Sequence, residues 1–190
     1  MKSVRTNLHD ADFNNIDLIT GTVTSTDCLD CLKKSNVFTS RSHGHLILGS
    51  ANGPAVSTGI VLNDEKDTKK VALYSHFWNG MTFGSKSIAS TDSFAGVNLV
   101  LFIGCITAYD GASGKNLVSV VVKQGAEVAI GFSENIDCVE ANKWTIDFYS
   151  YLLDGHTVQS SVDYASSKRS VDSGLRSAVV CGNGNYKISK

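Results

Sequence analysis

The chain has 190 residues, of which 17 are basic and 18 acidic, so its formal net charge is −1. This length fits one domain that can bury its own core, and the balanced charge argues against a nucleic-acid partner. The apolar runs are too short to span a bilayer, and no apolar segment follows the opening "MKSVRTNLHD". We therefore expect no membrane partner, no signal peptide and a cytoplasmic location.

Five cysteines occur at irregular spacing, which is a poor basis for a disulfide framework and favours reduced thiols. The "CLDC" stretch at 28–31 has the spacing of a redox or zinc motif, but there is no second such pair and no thioredoxin-like context. We interpret Cys28 and Cys31 as two cysteines on one helix face that pack in the core.

In the first half of the chain, the polar residues 1–15 predict a loop and "IDLITGTV" (16–23) a strand. The next predicted elements are a helix over 27–34 and a strand over 36–42 that runs into Gly44. "TGIVLN" and "KKVALYS" flank "DEKDT", which predicts an antiparallel hairpin with a charged tip, and residues 80–92 predict a loop.

The second half alternates strands and helices. "NLVLFIGC" (98–105) is a continuous aliphatic run, typical of a central parallel strand covered on both faces. A helix ending at Gly125, a buried strand over 127–132, a helix ending at Gly155, another helix and the strand-like "YKISK" follow. The helix faces toward the core are predicted to carry Leu117, Val118, Val121 and Val122, then Trp144, Phe148, Tyr151 and Leu152, then Val158, Val162 and Ala165. This order predicts a mostly parallel sheet with helices on both faces.

His43 and Cys105 each follow a predicted strand. Reactive groups in parallel sheets collect beyond the carboxyl ends of the strands, and neighbouring strands lie about 5 Å apart. If these two strands are neighbours, a thiol and an imidazole meet at one edge, as nucleophilic catalysis requires. Gly44 would let the backbone approach a substrate, and its N–H with that of Cys105 would form an oxyanion hole.

The stretches "VFTSRSHGH" and "NLVLFIGCITA" resemble the caspase-like cysteine peptidases (clan CD), and in particular the bacterial CHAT-type domains. In that family one hydrophobic strand ends in His-Gly and a second ends in the nucleophilic cysteine. The downstream "GASGKNLVSVVVKQGAEVAIGFSENID" and "FYSYLLDGHTVQSSVDYA" resemble the helix, strand, loop and helix that follow this cysteine. The resemblance covers about residues 34–190 and implies a single caspase-like domain over 1–190, a three-layer α/β sandwich with a small antiparallel hairpin.

The resemblance also implies a function, namely cleavage of protein or peptide substrates through an acyl-enzyme, without a metal or cofactor. Cys105 would be the nucleophile and His43 the acid and base, with Gly44 and Cys105 as backbone oxyanion donors. Residues 132–137 would line the pocket for the substrate residue before the scissile bond, and the candidates are Ser133, Glu134, Asp137 and the nearby Asp110. These acids would select Lys or Arg.

Two departures from the family stand out. Several members carry an acid two residues before the cysteine, where this chain has Ile103, so that route to basic specificity is absent. No counterpart of the family's first strand and helix precedes residue 16, so the chain is either a trimmed domain or part of a longer one.

Other interpretations stay open at this point. The domain could be a catalytically silent module that signals to a regulatory protein partner. It could instead be a thiol hydrolase with the cysteine on a strand-to-helix turn, whose histidine would have to be His156. His43 and His45 could chelate a metal, although no further ligand is obvious, and His76 could replace His43.

Overall fold

The computed structural model describes residues 23–48, 55–63, 71–78, 81, 84–109, 111, 115–169 and 172–188. The predicted loop over 1–15, all but Val23 of the strand predicted over 16–23, and Asp110 lie outside these residues. The described residues form five helices and eight strands. The helices are α1 (Ser25–Lys34), α2 (Leu117–Lys123), α3 (Cys138–Leu153), α4 (Val158–Ser167) and α5 (Ser173–Arg176). The strands are β1 (Val37–Arg41), β2 (His43–Leu48), β3 (Ala55–Asn63), β4 (Val71–Tyr74), β5 (Lys86–Ser87), β6 (Leu99–Ile103), β7 (Val128–Phe132) and β8 (Ala178–Gly182).

Four strands form a central sheet in the order β1-β6-β7-β8. β1, β6 and β7 are parallel, and β8 joins β7 in the antiparallel direction. All five residues of β6 are buried between its two parallel neighbours, so the predicted central strand is confirmed. The chain is therefore an α/β protein, as the alternating elements predict.

The last strand lies earlier than predicted. Residues 186–188 are not a strand, and β8 is instead the "AVVCG" segment. Ala178 and Val180 pack into one hydrophobic cluster while Val179 and Cys181 pack into the other, so both faces of β8 are partly covered. A strand half-buried on both faces lacks the strict alternation by which a sequence pattern is recognised.

Helices contact both faces of β6, because its side chains alternate between two hydrophobic clusters. Leu99, Leu101 and Ile103 pack with residues of α3 and α4. Val100 and Phe102 pack with residues of α1 and α2. The side chains of a strand point alternately to opposite faces, which lets one continuous aliphatic run serve both clusters.

The helices begin and end where the sequence offers caps. Thr24 and Asp27 form a reciprocal capping box at the start of α1, and Asn116, Asp137 and Thr157 cap α2, α3 and α4. Gly125 and Gly155 follow α2 and α3 with φ of 112° and 90°, as expected of residues that end a helix. No helix among the described residues is long and apolar enough to cross a membrane.

One residue that was predicted to face the core from a helix does not lie in the core. Tyr151 is half-buried rather than packed in the core, and its ring stacks between those of His156 and Tyr164. It lies on the flank of α3, where an amphipathic ring can keep contact with water.

A second sheet has the order β2-β3-β4-β5. β3 and β4 are antiparallel, which confirms the predicted hairpin; its charged tip lies outside the described residues. β2 and β5 were not predicted, so this sheet is larger than the small hairpin expected. β2 begins at His43, directly after the chain leaves the central sheet.

Candidate active site

The parallel pairing of β1 with β6 brings two strand ends together. Arg41 lies opposite Ile103, and the Ser42 N–H donates to the Ile103 carbonyl over 3.1 Å, one step beyond the end of β1. His43 comes two residues after Arg41 and Cys105 two residues after Ile103, so both residues follow the carboxyl ends of neighbouring parallel strands. Reactive groups of parallel sheets collect at such an edge.

The side chains near this edge show which face of the sheet α3 covers. Thr39 bonds through Oγ1 to the Tyr149 hydroxyl of α3, and the Arg41 guanidinium donates to the Cys138 carbonyl over 3.2 Å. Alternate residues of a strand share a face, so Thr39 and Arg41 both lie on the face that α3 covers. His43 is exposed and Cys105 is half-buried, so solvent reaches both residues.

Two glycines allow the strand ends to approach closely. A Cβ added at Gly44 would lie 1.5 Å from the carbonyl oxygen of Cys105 and 2.9 Å from its nitrogen. A Cβ added at Gly104 would lie 2.8 Å from the Ser42 carbonyl oxygen. The backbones of Gly44 and Cys105, which carry the two expected oxyanion donors, are therefore in direct contact.

A tight turn follows the cysteine. Ile106 has φ of 53°, a left-handed conformation that is strained for a β-branched residue. The turn is held by hydrogen bonds from the Ile106 N–H to the Glu134 carbonyl (3.0 Å) and from the Ala108 N–H to the Phe132 carbonyl (2.9 Å). Strain of this kind persists only where the surroundings fix the backbone, and here they fix it directly beside Cys105.

The Cys105 sulfur lies against the loop that follows β7. The Ile136 N–H donates to Sγ over 3.4 Å, and Sγ lies 3.7 Å from the Ile136 carbonyl oxygen, which can accept from the thiol. The sulfur is thus held beside residues 133–137, the loop in which the sequence places most of its substrate-binding candidates.

Three of those candidates can be placed. The Ser133 hydroxyl donates to the Ser177 carbonyl over 3.3 Å, and Glu134 is exposed while its backbone N–H donates to the Ser177 hydroxyl. The carboxylate of Asp137 accepts the N–H groups of Val139 and Glu140 at 2.8 and 2.9 Å, so it caps α3. Among these residues Glu134 is therefore the acid whose carboxylate is not engaged in capping a helix.

Asp172 anchors this loop, and the sequence analysis missed it. One carboxylate oxygen accepts the Asp137 N–H over 3.0 Å, while the other caps α5 through Gly174 and Leu175. Gly174 also packs against the Asn135 carbonyl, which a Cβ at 174 would approach to 1.7 Å. Asp followed by Ser-Gly is a recognisable capping signal, but nothing local indicates that its second oxygen reaches another loop.

The three other histidines among the described residues have different surroundings. His45 Nδ1 is 2.9 Å from the Tyr74 hydroxyl. His76 donates to the Lys115 carbonyl before α2, and its pKa is lowered, mainly by burial. His156 is exposed beside Tyr151 at the far end of α3, and a 16-residue helix spans about 24 Å. Within the described ranges, no three His, Cys, Asp or Glu residues are grouped so that they could hold a metal ion.

The cysteines of this chain are not joined by disulfides. All five are described, and none is bonded to another. Cys28 is buried in the core, and burial, with the neighbouring Cys31 and Asp27, raises its pKa to about 12. A thiol that stays protonated is a poor nucleophile. Cys28 therefore packs in the core as predicted, whereas Cys31 is half-buried.

A scan of the chain against protein-family models finds no match, and a search of curated proteins finds none either. The geometry at the carboxyl edge of the central sheet is therefore the basis on which a function can be proposed.

Proposed function

We propose that the protein is a cysteine endopeptidase with a His43–Cys105 dyad on a caspase-like, CHAT-type three-layer α/β sandwich. The observation that carries the proposal is the register of β1 against β6, which ends with Arg41 opposite Ile103, two residues before His43 and Cys105 respectively. The direct contact between the backbones of Gly44 and Cys105 supports it. A cytoplasmic location would keep the five cysteines, none of which forms a disulfide here, in the reduced state.

In the proposed reaction, His43 takes the thiol proton of Cys105, and the sulfur attacks the scissile carbonyl carbon to form a tetrahedral intermediate. The N–H groups of Gly44 and Cys105 stabilise its oxyanion, and His43 passes the proton to the leaving amine as the C–N bond breaks. His43 then takes a proton from water, whose oxygen attacks the acyl-enzyme, and returns this proton to the sulfur as the C–S bond breaks and the second product leaves. No metal or cofactor takes part in these steps.

The substrate would lie along the loop 133–137. Glu134 is exposed there, next to the backbone that holds the sulfur, and would pair with Lys or Arg before the scissile bond. Ser133, Asp137 and Asp110 are the other candidates for this pocket. The carboxylate of Asp137 already serves α3, so Glu134 is the stronger candidate of the two.

The geometry favours this proposal over the thiol hydrolase that would use His156, because that histidine lies at the opposite end of α3 from the cysteine. A silent module for a regulatory partner remains the alternative. It would require the dyad to be present without turnover, and labelling and kinetics distinguish the two.

The test is a positional-scanning peptide library cleaved by the wild type and by Cys105→Ala and His43→Ala. We expect cleavage by the wild type and none by either variant, with circular dichroism showing all three folded. Cys138→Ala and His156→Ala are matched controls, because each removes an exposed residue of the same type outside the dyad. Both controls should keep wild-type rates, and wild-type turnover by Cys105→Ala or His43→Ala would contradict the proposal.

A peptidyl chloromethyl ketone tests the silent alternative. An active enzyme is labelled at Cys105 alone, and the labelling is lost in His43→Ala. No labelling of a folded wild type, together with no cleavage of any library peptide, would favour the module that only binds a partner.

A further inference from the structure

Two buried threonines connect the second sheet to the turn that carries the cysteine. Thr58 on β3 and Thr107 after Cys105 are both fully buried. The Thr58 hydroxyl donates to the Thr107 carbonyl over 3.1 Å and accepts the N–H of Leu117, the first residue of α2, over 2.9 Å. A single hydroxyl thus satisfies two buried backbone groups on different elements.

Thr107 is itself held at several points. Its hydroxyl accepts the Phe132 N–H over 3.1 Å and lies 3.2 Å from the carbonyl oxygens of Phe102 and Gly104. These bonds close the turn that contains Ile106 in its left-handed conformation. A displacement of the Thr107 carbonyl would therefore be passed to the backbone two residues earlier, at Cys105.

Thr58 also lies on the strand that pairs with β2, which begins at the histidine. β3 pairs with β2, where Thr58 lies opposite Leu46 and Val61 lies opposite His43. One hydrogen bond from Thr58 therefore joins the sheet that begins at His43 to the turn that begins at Cys105.

We propose that Thr58 is a positioning residue for the dyad, fixing the distance between the histidine and the cysteine without touching substrate. This inference rests on the proposed peptidase function. Without the hydroxyl, the Thr107 carbonyl and the Leu117 N–H lose their buried partner, and the turn has to move to satisfy them. A misplacement of about 1 Å between reacting groups costs on the order of 100-fold in rate.

The competing explanation is that Thr58 only contributes to folding. Thr145 gives a matched control, because it is also buried and its hydroxyl donates to the Ala141 carbonyl inside α3 over 2.7 Å. Thr145→Val removes a buried hydroxyl without affecting the cysteine turn.

The experiment compares wild type, Thr58→Val, Thr58→Ser and Thr145→Val in the full chain, using the best peptide from the library. We expect Thr58→Val to lower kcat by about 10- to 100-fold while KM changes by less than about threefold. Thr58→Ser keeps the hydroxyl and should restore most of kcat, and Thr145→Val should keep the wild-type kcat. Urea unfolding of each variant shows whether a change in kcat is explained by a loss of stability.

Alkylation provides a readout without turnover. The rate at which iodoacetamide modifies Cys105 is measured by peptide mass spectrometry. It should fall in Thr58→Val toward the rate of His43→Ala, because in both variants the imidazole no longer helps to remove the thiol proton. Thr145→Val should react like the wild type. If Thr58→Val does not fold, Thr58→Cys replaces it in the kinetic comparison, since a thiol bonds more weakly than a hydroxyl and should give an intermediate loss of kcat.

The outcomes separate the two proposals. If Thr58→Val, or its replacement, keeps wild-type kcat and Cys105 alkylation while Cys105→Ala is inactive, the positioning role is wrong and the peptidase function stands. An equal fall of kcat in Thr58→Val and Thr145→Val would also overturn the positioning role. If Cys105→Ala cleaves peptides like the wild type, the peptidase assignment itself fails.

Discussion

Gly44 and Cys105 are in contact through their backbones, so closely that position 44 has no room for a side chain. The nearest atom to an added Cβ would be the carbonyl oxygen of Cys105, at 1.5 Å. Because that oxygen belongs to the main chain, no rotamer change can relieve the overlap. Glycine at 44 is therefore a condition for the second sheet to begin beside the cysteine.

Gly44→Ala should destabilise the protein and disrupt the edge of the central sheet. Overpacking against backbone that cannot rearrange costs about 3 kcal/mol, at the upper end of the usual range. Gly184→Ala is the control, because the nearest atoms to a Cβ there would belong to side chains, those of Gln159 at 3.3 Å and Val180 at 3.6 Å. Equal urea midpoints for Gly44→Ala and wild type would show that the two strand ends are farther apart than described.

The two acids of the loop after β7 should have different roles. Glu134→Gln should reduce kcat/KM for substrates with Lys or Arg before the scissile bond by about tenfold, a loss of about 1.4 kcal/mol in binding, with little change in stability. Asp137→Ala should instead lower the free energy of unfolding by about 1 kcal/mol, because it removes the cap of α3. Asp137→Asn, which can still cap, should keep the wild-type stability.

Library profiles and urea unfolding of these three variants provide the check. If Glu134→Gln prefers Lys or Arg before the scissile bond as strongly as the wild type does, Glu134 is not part of the pocket. A loss of basic preference in Asp137→Asn at unchanged stability would assign that role to Asp137 instead.

Stability should fall in alkali because of Cys28. The thiol has an ordinary pKa of 9.0, and burial raises it to about 12 in the folded protein. Above pH 9 the unfolded chain therefore loses this proton while the folded chain keeps it, so the folded state is progressively disfavoured until about pH 12. The expected loss attributable to Cys28 is roughly 1–2 kcal/mol between pH 9 and 10.5.

Urea unfolding across this range should give a flatter pH dependence for Cys28→Ala than for the wild type. Cys138→Ala removes an exposed thiol and should leave the slope unchanged. The same burial should protect Cys28 from iodoacetamide at pH 8 while Cys138 reacts readily. Rapid modification of Cys28 in the native protein would contradict its placement in the core.

Local pattern was sufficient to predict most elements of the central sheet and its helices. The aliphatic run of β6, the apolar stripes of α2, α3 and α4, and the glycines at 125 and 155 each act within a few residues, so their effect can be predicted from the sequence. β2 was missed because "HGHLIL" follows β1 with only Ser42 between them, and the sequence does not indicate that the chain changes sheets there. β8 was misplaced because both of its faces are partly covered.

The sequence by itself determined that a histidine and a cysteine each follow a hydrophobic strand, since strand and turn propensities are local. Only the tertiary structure decided that these strands are parallel neighbours whose register ends with Arg41 opposite Ile103 and with the Ser42 N–H bonded to the Ile103 carbonyl. The whole second sheet intervenes between them along the chain, and strand register depends on contacts between distant segments. For the same reason, the hydrogen bonds between Thr58 and Thr107 and between Asp172 and Asp137 could not be inferred from the sequence around any of these residues.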